Sequence, residues 1–257
     1  MDADSVAEIL HVFHKRYEIL KCICDGQLDK REIEDKIDSS RPTIDRAYRE
    51  LEDLGMLAST GTSYELTNFG KLCCEEFART EDTLQTVTEM EDILSYLPRD
   101  AGFDVGLLEG AAVHYAEEHA PQEPFVEIVD VAANASEVEG YSSTIMPHYV
   151  DSFHSLVVEA GVPTTLVFTE DVVETGHSNY AEKFGEIVSA ENSTVYATTE
   201  VYTYGTVIGD GTVAVPVGNE RDRLHAVIVN DTDSAVEWAS EFLERIIASD
   251  QSRRLSA

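Results

Sequence analysis

LDKREIEDKIDSSRPTIDRAYRELEDLGMLASTGTSYEL, residues 28–66, is the stretch that decides the fold of the N-terminal part of the chain. Asp29 and Glu32 have the spacing of a capping box, in which two side chains satisfy free N–H groups at the start of a helix. The apolar residues that follow are spaced for one helix face. The pattern therefore predicts a short helix from about Lys30 to Ile37.

A second helix is predicted after the turn Asp38-Ser39-Ser40. Ser40 is suited to cap it, and Pro42 falls in its first turn, where a missing N–H group costs nothing. Apolar residues recur at spacings of three and four before Gly55, which is a typical helix end. These inward-facing residues are Ile44, Ala47, Tyr48, Leu51 and Leu54. The opposite face is polar and carries Arg41, Thr43, Asp45, Arg46, Arg49 and Glu50.

A β-hairpin is predicted directly after the second helix. Residues 56–58 and 64–66 are two half-apolar runs, and the polar tip between them contains Gly61. Helix, turn, helix and hairpin in this order predict a winged helix-turn-helix. The first hypothesis from the pattern is a DNA-binding transcription regulator, because this arrangement places its second helix in the major groove.

The candidate DNA contacts lie in the turn, on the polar face of the second helix, at the hairpin tip and at the start of the following helix. Hydroxyl and guanidinium groups at such positions can reach base edges and phosphates. The candidates are Ser39, Ser40, Arg41, Thr43, Arg46, Arg49, Thr60, Thr62 and Lys71. They predict double-stranded DNA as a partner, with an inverted-repeat operator for a homodimer.

Two phrases of this region, RELEDLGML at 49–57 and YELTNFG at 64–70, resemble those of archaeal winged-helix regulators. The resemblance implies the same fold and a DNA-binding role for the N-terminal part. A winged helix can also serve only as a protein-binding or dimerisation module. The alternative function is therefore an interaction adaptor without specific DNA binding.

The net charge of −32 normally argues against DNA binding, because DNA is a polyanion. Residues 1–71 hold 10 of the 18 Lys and Arg and 15 of the 50 Asp and Glu, a balance of −5, whereas the remaining residues carry −27. Acidity spread along the chain with few lysines is typical of proteins that stay soluble in molar salt. We therefore expect a halophilic archaeal protein, whose repulsion from phosphates is strongly screened.

Length and composition fit a two-domain chain, since 257 residues with 43% apolar content can build two cores. Apolar residues spaced by threes and fours predict a long helix from Asn68 to about Leu97. That helix can pair with its twin in a homodimer or pack on its own domain; the homodimer is favoured because operator symmetry usually mirrors protein symmetry. The predicted domains are a winged helix-turn-helix at 1–75, a linker and dimerisation helix at 76–98, an α/β effector-sensing domain at 99–250 and a tail at 251–257.

The C-terminal part alternates strand and helix patterns, which favours an α/β sandwich with a mixed sheet and helices on its faces. The complete fold class is thus a two-domain α+β and α/β arrangement joined by a long linker helix. Predicted strands are 125–131, 163–168, 194–198, 204–208, 212–215 and 224–229. Predicted helices are 149–160, 180–188 and 235–247, and His114 and His119 are expected on a further helix.

Several phrases of this part resemble the sensor domain of archaeal regulators named after a methanogenesis regulatory protein, which is similar in layout to phospholipase-D-like folds. The phrases are Leu97-Pro98, Tyr204-Gly205 ahead of Gly209-Asp210-Gly211, and Val229-Asn230-Asp231 followed by Glu237-Trp238-Ala239. The resemblance implies a one-component regulator that binds an effector in its C-terminal domain and responds at its N-terminal domain.

The sequence lacks the signatures of the commonest enzyme classes, so no catalytic residue is predicted. A phosphodiesterase of this layout needs His-X-Lys, and the chain contains none. It also contains no Gly-X-Ser-X-Gly, Walker A or Gly-X-Gly-X-X-Gly motif. No cofactor is expected. With neither a leader pattern nor a long apolar span, a cytoplasmic location is expected.

The four cysteines, Cys22, Cys24, Cys73 and Cys74, have spacings that do not suit metal binding, because residues one or two apart point in different directions on a helix. We expect small, buried, apolar cysteines rather than a thiol or metal sensor. The histidines do not form the i, i+4 pair that chelates from one helix face either. No metal site is predicted.

The candidate effector-binding residues are polar and aromatic groups of the C-terminal part. Arg221 and Arg223 precede a predicted strand in a strongly acidic region, so they either hold surface carboxylates or capture an anionic effector. Tyr202 and Tyr204 are possible pocket walls, and His148 and His225 complete the set. The predicted ligand is a small molecule, favoured to be anionic if the arginines bind it.

Overall fold

A computed structural model describes residues 3–26, 29–61, 63–97, 102–117, 119–120, 123–218 and 224–256 of the chain. The chain divides into two compact units, Met1–Leu84 and Gln85–Ala257, which we call the N-terminal unit and the C-terminal unit. Thr62, Arg221 and Arg223, which the sequence proposes as contacts, lie outside the described residues.

The N-terminal unit contains helices followed by a short hairpin and a long helix. They are α1 (Ala3–Lys15), α2 (Tyr17–Cys24), α3 (Lys30–Lys36), α4 (Arg41–Asp53), β1 (Leu57–Ser59), β2 (Tyr64–Leu66) and α5 (Asn68–Glu89), whose last residues belong to the C-terminal unit. Strands β1 and β2 are antiparallel, with Leu57 opposite Leu66. The carboxylate of Asp29 accepts a hydrogen bond from the N–H of Arg31, as its capping role predicts. Gly55 follows α4 with a φ of 75°, a left-handed conformation that glycine adopts without strain.

The core of the N-terminal unit forms where the apolar faces of these helices meet the hairpin. Ile33 of α3 and Ile44, Tyr48 and Leu51 of α4 are fully buried. Met56, directly before β1, joins the same cluster. The predicted inward face of α4 is therefore confirmed for these residues, and its polar face is left on the outside.

One disulfide in the N-terminal unit corrects the expectation that all four cysteines are buried apolar residues. Cys24 and Cys74 are bonded, which joins the end of α2 to the first turns of α5. Cys22 is a buried free thiol and Cys73 a half-buried one. The sequence reasoning compared only cysteines close together in the chain, whereas the fold brings together one member of each pair.

The helix predicted from Asn68 to Leu97 is shorter than expected. Helix α5 ends at Glu89, and a separate turn of helix, α6 (Glu91–Leu94), follows Met90. Met90 has φ −94° and ψ 7°, which breaks the helix. Ile93 of α6 is fully buried in the core of the C-terminal unit, so tertiary packing ends the regular repeat.

The C-terminal unit is built on a mixed sheet that has eight strands within the described residues. The strands are β3 (Ala112–Tyr115), β4 (Val138–Ser142), β5 (Thr164–Thr169), β6 (Ser193–Thr198), β7 (Thr206–Gly209), β8 (Thr212–Gly218), β9 (Leu224–Asn230) and β10 (Ser252–Arg254). Their order is β10-β6-β5-β4-β7-β8-β9-β3. The three strands β4, β5 and β6 are parallel, and the other pairings are antiparallel.

Helices cover both faces of this sheet. They are α7 (Val105–Leu108), α8 (Phe125–Ala133), α9 (Pro147–His154), which continues as a π-helical turn at Ser155–Glu159, α10 (Glu170–Asn179), α11 (Ala181–Ser189) and α12 (Asp233–Ala248). Helices α7 and α12 share one core cluster with the sheet, and α8 and α11 pack on residues of the opposite face. The α/β arrangement with a mixed sheet is as the sequence predicts.

Three predictions for the C-terminal part are wrong. Residues 125–131 form α8 rather than a strand, because Phe125, Ile128 and Ala132 are spaced by three and four and bury one face. His114 lies on β3, a short edge strand, and His119 in a turn, rather than on a helix. Residues 252–254 of the predicted tail form β10, because pairing with β6 satisfies their backbone groups.

The hairpin predicted around Gly209-Asp210-Gly211 is confirmed as β7 and β8. Asp210 and Gly211 both have positive φ, at 44° and 83°, the geometry of a tight two-residue hairpin turn. The carboxylate of Asp210 accepts hydrogen bonds from the backbone N–H and hydroxyl of Ser136, which lowers the pKa of Asp210. This ties the turn to the segment that leads into β4.

Candidate functional site

The polar face of α4 is one candidate site, because it carries most of the residues proposed to contact DNA. Arg46 and Arg49 are exposed, and Arg41 and Thr43 are half-buried. Each of the first two leans on its own helix: Arg46 Nε lies 3.4 Å from the Pro42 carbonyl and Arg49 Nε lies 3.1 Å from the Asp45 carbonyl. Neither has a carboxylate partner in the described part of the chain.

The turn before α4 presents hydroxyls beside these arginines. Ser40 occupies the N-cap position, but its side chain makes no capping hydrogen bond to a backbone N–H, contrary to the prediction. Its hydroxyl instead lies 2.9 Å from that of Thr43. Ser39 precedes it and is half-buried. The structure therefore brings the turn residues and the start of α4 together. Thr60, at the hairpin tip, and Lys71, in the first turn of α5, are exposed on other elements.

Carboxylates of the same unit neutralise several cations near α4. Arg41 lies between Glu34 at 3.5 Å and Asp45 at 3.9 Å. Lys30, which the sequence reasoning missed, lies 2.8 Å from Asp45 and lowers the pKa of that carboxyl. No local sequence pattern indicates the Lys30–Asp45 pair, because the two residues are fifteen positions apart and lie on different helices. The α4 surface thus carries less free positive charge than its arginines suggest.

Glu50 is a second acidic residue of the α4 face, and it is turned toward α1. Its carboxylate accepts hydrogen bonds from Arg16 at 2.8 and 3.1 Å and from Lys15 at 2.8 Å. The Arg16 guanidinium, with Lys15, holds the pKa of Glu50 at about 2. This group therefore ties helices together and leaves Arg46 and Arg49 as the prominent exposed cations of α4.

The C-terminal unit contains a cavity of about 380 Å³, which is the second candidate site and is called the C-terminal cavity below. It lies on the sheet face that α8 and α11 cover, at the end of β4. Its walls come from β4 and the segment after it, from α8, α9 and α11, and from the segment that leads into β7. A volume of this size falls within the usual range of small-molecule sites.

Aromatic side chains form a large part of the cavity wall. They are Phe125 of α8, Tyr149 and Phe153 of α9, Phe168 of β5 and Phe184 of α11. The rings of Phe125 and Tyr149 lie 4.3 Å apart, and burial raises the pKa of Tyr149. The sequence reasoning missed these residues because it interpreted 125–131 as a strand and chose ligand residues by charge.

Hydrogen bonds fix the segment that closes one end of the cavity. The hydroxyl of Tyr141 donates to the Glu200 carbonyl at 3.3 Å and accepts from the Tyr202 N–H at 2.9 Å. Burial raises the pKa of Tyr141 to about 12, so the phenol stays protonated for this role. The Ser143 hydroxyl donates to the Tyr202 carbonyl at 2.8 Å.

The proposed effector residues are not all brought to this cavity. Tyr202 and Tyr204 border it, but their rings also pack against Phe242 of α12, at 5.0 and 5.2 Å between centroids. His148 is exposed and contacts the rings of Phe125 and Tyr149. His225 lies elsewhere, stacked on Tyr96 at 3.6 Å.

Comparison with known families matches both parts of the chain. Residues 121–249 match the family described as methanogenesis regulatory protein FilR1, middle domain. Residues 4–89 match the family described as HVO_A0261 N-terminal domain. Among curated proteins, no sequence matches the chain.

Similar solved structures include TrmBL2, described as an archaeal chromatin protein with a novel mode of DNA binding, at 14% identity and a TM-score of 0.43 over 85% of each chain. NucT from Helicobacter pylori has 13% identity and a TM-score of 0.42, covering 54% of this chain and 96% of that one. Nuc from Salmonella typhimurium, a phospholipase D family member, has 17% identity and a TM-score of 0.40, covering 57% and 98%.

Within the described residues, no group of three or more His, Cys, Asp or Glu side chains could hold a metal ion. Across the same ranges, no helix combines the length and apolar character that a membrane span requires.

Proposed function

The chain belongs to the family of the methanogenesis regulatory protein FilR1, middle domain, and we propose that it is a one-component transcription regulator. In this proposal α3, α4 and the β1–β2 hairpin act as a winged helix-turn-helix that reads an operator in double-stranded DNA. The C-terminal unit binds a small-molecule effector. A regulator of chromosomal DNA works in the cytoplasm, and the proposal includes no catalytic step.

The observation that carries the proposal is the exposed α4 surface. Arg46 and Arg49 lie on the side of α4 opposite its buried residues, and Ser40 and Thr43 lie at its start. A helix that enters the major groove needs guanidinium and hydroxyl groups in these places to contact base edges and phosphates. Thr60, Thr62 and Lys71 are proposed as further contacts from the hairpin and from α5, with Ser39 and Arg41 beside the turn.

The acidic composition is compatible with DNA binding if the protein works in concentrated salt. At about 1 M salt the Debye length is about 3 Å, so acidic surfaces hardly repel the phosphates. Recognition then depends on direct base contacts, close packing and DNA shape. This is the basis for proposing a halophilic archaeal source.

We further propose a homodimer that binds an inverted-repeat operator. Leu72 of α5 is 62% exposed and Phe69, three residues before it on the same helix, is 39% exposed. Side chains three apart are neighbours on a helix surface, and adjoining exposed apolar groups are typical of an interaction site. A second copy that packs on this helix would place two α4 helices on one operator. In this proposal residues 1–75 bind DNA, residues 76–98 link the domains and form the dimer contact, and residues 99–250 sense the effector.

The test is genome-wide occupancy of the tagged protein in its native cytoplasm, compared with an Arg41→Ala/Arg46→Ala double variant. Sharp peaks that share an inverted repeat and disappear in the variant are expected. Arg79→Ala is the matched control, because Arg79 is an exposed arginine of α5 that pairs with Glu76 at 3.0 Å and lies outside the proposed contact surface. The occupancy peaks of the Arg79→Ala variant should remain.

Flat occupancy of the native protein, in cells grown with and without candidate effectors, would contradict the proposal. Occupancy that survives in the double variant would contradict the role of α4. In either case co-purification with the transcription machinery would favour the adaptor function instead.

A further inference from the structure

We propose that the C-terminal cavity binds an uncharged, largely apolar small molecule that contains at least one ring. The inference names the chemical class of the effector, and in treating the ligand as an effector it rests on the proposed function. It departs from the anionic ligand that the sequence suggests.

The cavity is open because its floor is made of backbone. A Cβ atom on Gly140 would lie 2.8 Å from the Thr206 carbonyl oxygen, and one on Gly205 would lie 2.9 Å from the Tyr141 carbonyl oxygen. Neither position can therefore carry a side chain that fills the space. Empty apolar volume destabilises a fold, so a cavity of about 380 Å³ with a built floor is better explained by a ligand than by loose packing.

The described part of the wall contains no cation. Its ionisable acidic side chain is that of Asp171, which is exposed at the start of α10. An anionic group moved into this cavity would lose its hydration without gaining a charged partner among these residues. Tyr141 does not replace such a partner, because its hydroxyl already donates to the Glu200 carbonyl. The wall thus selects against a charged ligand.

The aromatic wall provides the attraction. Phe125 and Tyr149 lie on one side, and Phe168 and Phe184 form a second pair of rings with their centroids 5.8 Å apart. Ring faces and edges presented from helices and a strand suit a ligand that is itself a ring, because aromatic contacts add to simple burial of apolar area. Val150 of α9, which is 5% exposed, adds an aliphatic side chain to the same wall.

The hydroxyls at the end of the cavity already have partners within the chain. Ser142 donates to the Thr144 carbonyl at 2.8 Å and accepts from the Thr144 N–H at 3.2 Å. Ser143 donates to the Tyr202 carbonyl. The buried hydroxyl of Thr206, also in the wall, has no hydrogen-bond partner among the described residues, so it could accept or donate one bond to a ligand. Few other hydrogen bonds are left, which is why a mainly apolar molecule with one polar group fits better than a sugar or another polyhydroxylated molecule.

The experiment is a fluorescence titration of the full chain with two probes that share one ring framework. N-phenyl-1-naphthylamine is uncharged, and 8-anilino-1-naphthalenesulfonate adds one sulfonate. In both low and molar KCl, we expect saturable binding of the uncharged probe at one site per chain. Binding of the sulfonate should be weaker by about tenfold or more, because its charge is desolvated without a partner.

Variants locate the probe. Val150→Phe fills the cavity and should weaken binding of the uncharged probe by about tenfold or more. Val158→Phe is the matched control, since Val158 lies on the next turns of the same helical segment, is 40% exposed and does not line the cavity. Val150→Thr keeps the shape of the side chain but adds a hydroxyl to the cavity wall. It should weaken binding of the uncharged probe while the melting temperature of the chain stays close to that of the native protein.

Three results would overturn the inference: no saturable binding of the uncharged probe, binding that Val150→Phe and Val150→Thr both leave unchanged, or equal affinity for the sulfonate that an Arg221→Ala/Arg223→Ala variant abolishes. The last result would restore the anionic effector. Because probe binding needs no DNA, its failure is separate from failure of the occupancy test. Probe binding without DNA occupancy would retain the ligand site and remove the regulator.

Discussion

The ammonium nitrogen of Lys30 lies 2.8 Å from Oδ1 of Asp45, so one ion pair joins α3 to α4. The same nitrogen lies 4.7 Å from the ring centroid of Tyr48 and 4.8 Å from that of Tyr64. Tyr64 belongs to β2, and its ring contacts that of Tyr48. A single cation therefore connects the two helices and the hairpin that the proposal assigns to DNA binding.

We expect Lys30→Met to lower the free energy of unfolding of the N-terminal unit by about 1 to 2 kcal/mol, because it removes a cation from two ring faces and from a carboxylate. Urea unfolding followed by circular dichroism would measure this. Lys36→Met is the matched control, since Lys36 is exposed on the same helix and has no ion pair within the described ranges. A Lys30→Met chain as stable as the control would show that this contact contributes nothing.

Glu50 should make the stability of the N-terminal unit dependent on pH in the acid range. Arg16 and Lys15 lower its pKa from 4.5 to about 2 in the folded chain. A lowered carboxyl pKa stabilises the fold above the ordinary value and ceases to do so as the pH falls to the folded value. Glu50→Gln should therefore be less stable at pH 6 and lose less stability between about pH 4.5 and 2. Chemical unfolding at several pH values tests this.

Glu52→Gln provides the comparison for that measurement. Glu52 is exposed on the same helix and has no ion pair in the described part of the chain. Its variant should follow the native pH profile. Identical profiles for the Glu50 and Glu52 variants would remove the Arg16–Glu50 pair as the cause.

The N-terminal elements could be predicted from the sequence because their signals are local. Asp29 caps α3, and Gly55 ends α4. The residues that the pattern turned inward are buried, apart from Leu54, which is partly buried. In contrast, the Cys24–Cys74 bond joins residues 50 apart, and the Lys30–Asp45 pair joins two helices. No spacing rule gives such contacts, because they arise only when separate elements pack.

In the C-terminal part, residue type misled the prediction where tertiary packing overrides it. Phe-Val-Glu-Ile-Val at 125–129 is rich in β-formers, yet it is helical because its spacing buries Phe125 and Ile128 on the sheet. Strand β4 was missed because Gly140 interrupts its apolar pattern. The same glycine helps to form the floor of the cavity, so the residue that made the strand pattern hard to recognise is also part of the candidate site.

Reduction of the Cys24–Cys74 bond should destabilise the N-terminal unit. The bond closes a loop of 50 residues, and loss of a disulfide of that kind typically costs about 2 to 4 kcal/mol. Cys24→Ser/Cys74→Ser should unfold at lower urea than the native chain, whereas Cys73→Ser, at a free thiol, should respond to reductant as the native chain does. Trp238, the single tryptophan, reports the C-terminal unit separately by fluorescence. Equal urea midpoints with and without reductant would contradict the prediction.

Arg46→Ala should weaken binding to an operator by about 1 to 3 kcal/mol and relax specificity at one base position, as expected for a side chain that reads a base edge. Arg46→Lys should bind the operator little better than Arg46→Ala, because an ammonium group cannot make the two parallel hydrogen bonds of a guanidinium group. Competition binding with operators changed at single positions would measure both effects. An equal loss on all sequences would instead make Arg46 a phosphate contact.

Operator binding should weaken only slightly, or strengthen, as KCl rises toward molar concentrations. Each phosphate that a protein neutralises adds about −0.9 to the slope of log K against log salt. Near α4, DNA phosphates would compete with carboxylates of the protein for the same cations, since Lys30 and Arg41 already pair with Asp45. A steep negative slope in a KCl titration would contradict both this pairing and the proposed adaptation to salt.

Asp45→Asn tests whether the ion pairs of Asp45 are the cause of the weak salt dependence of operator binding. It releases Lys30 for a phosphate, whereas Arg41 keeps Glu34 at 3.5 Å, so the slope should become more negative by about one unit. Asp53→Asn changes the net charge equally at the last residue of α4, where the carboxylate is exposed and has no ion pair among the residues described. If both variants change the slope alike, net charge decides the salt response; a change confined to Asp45→Asn assigns it to the internal pairing of these cations.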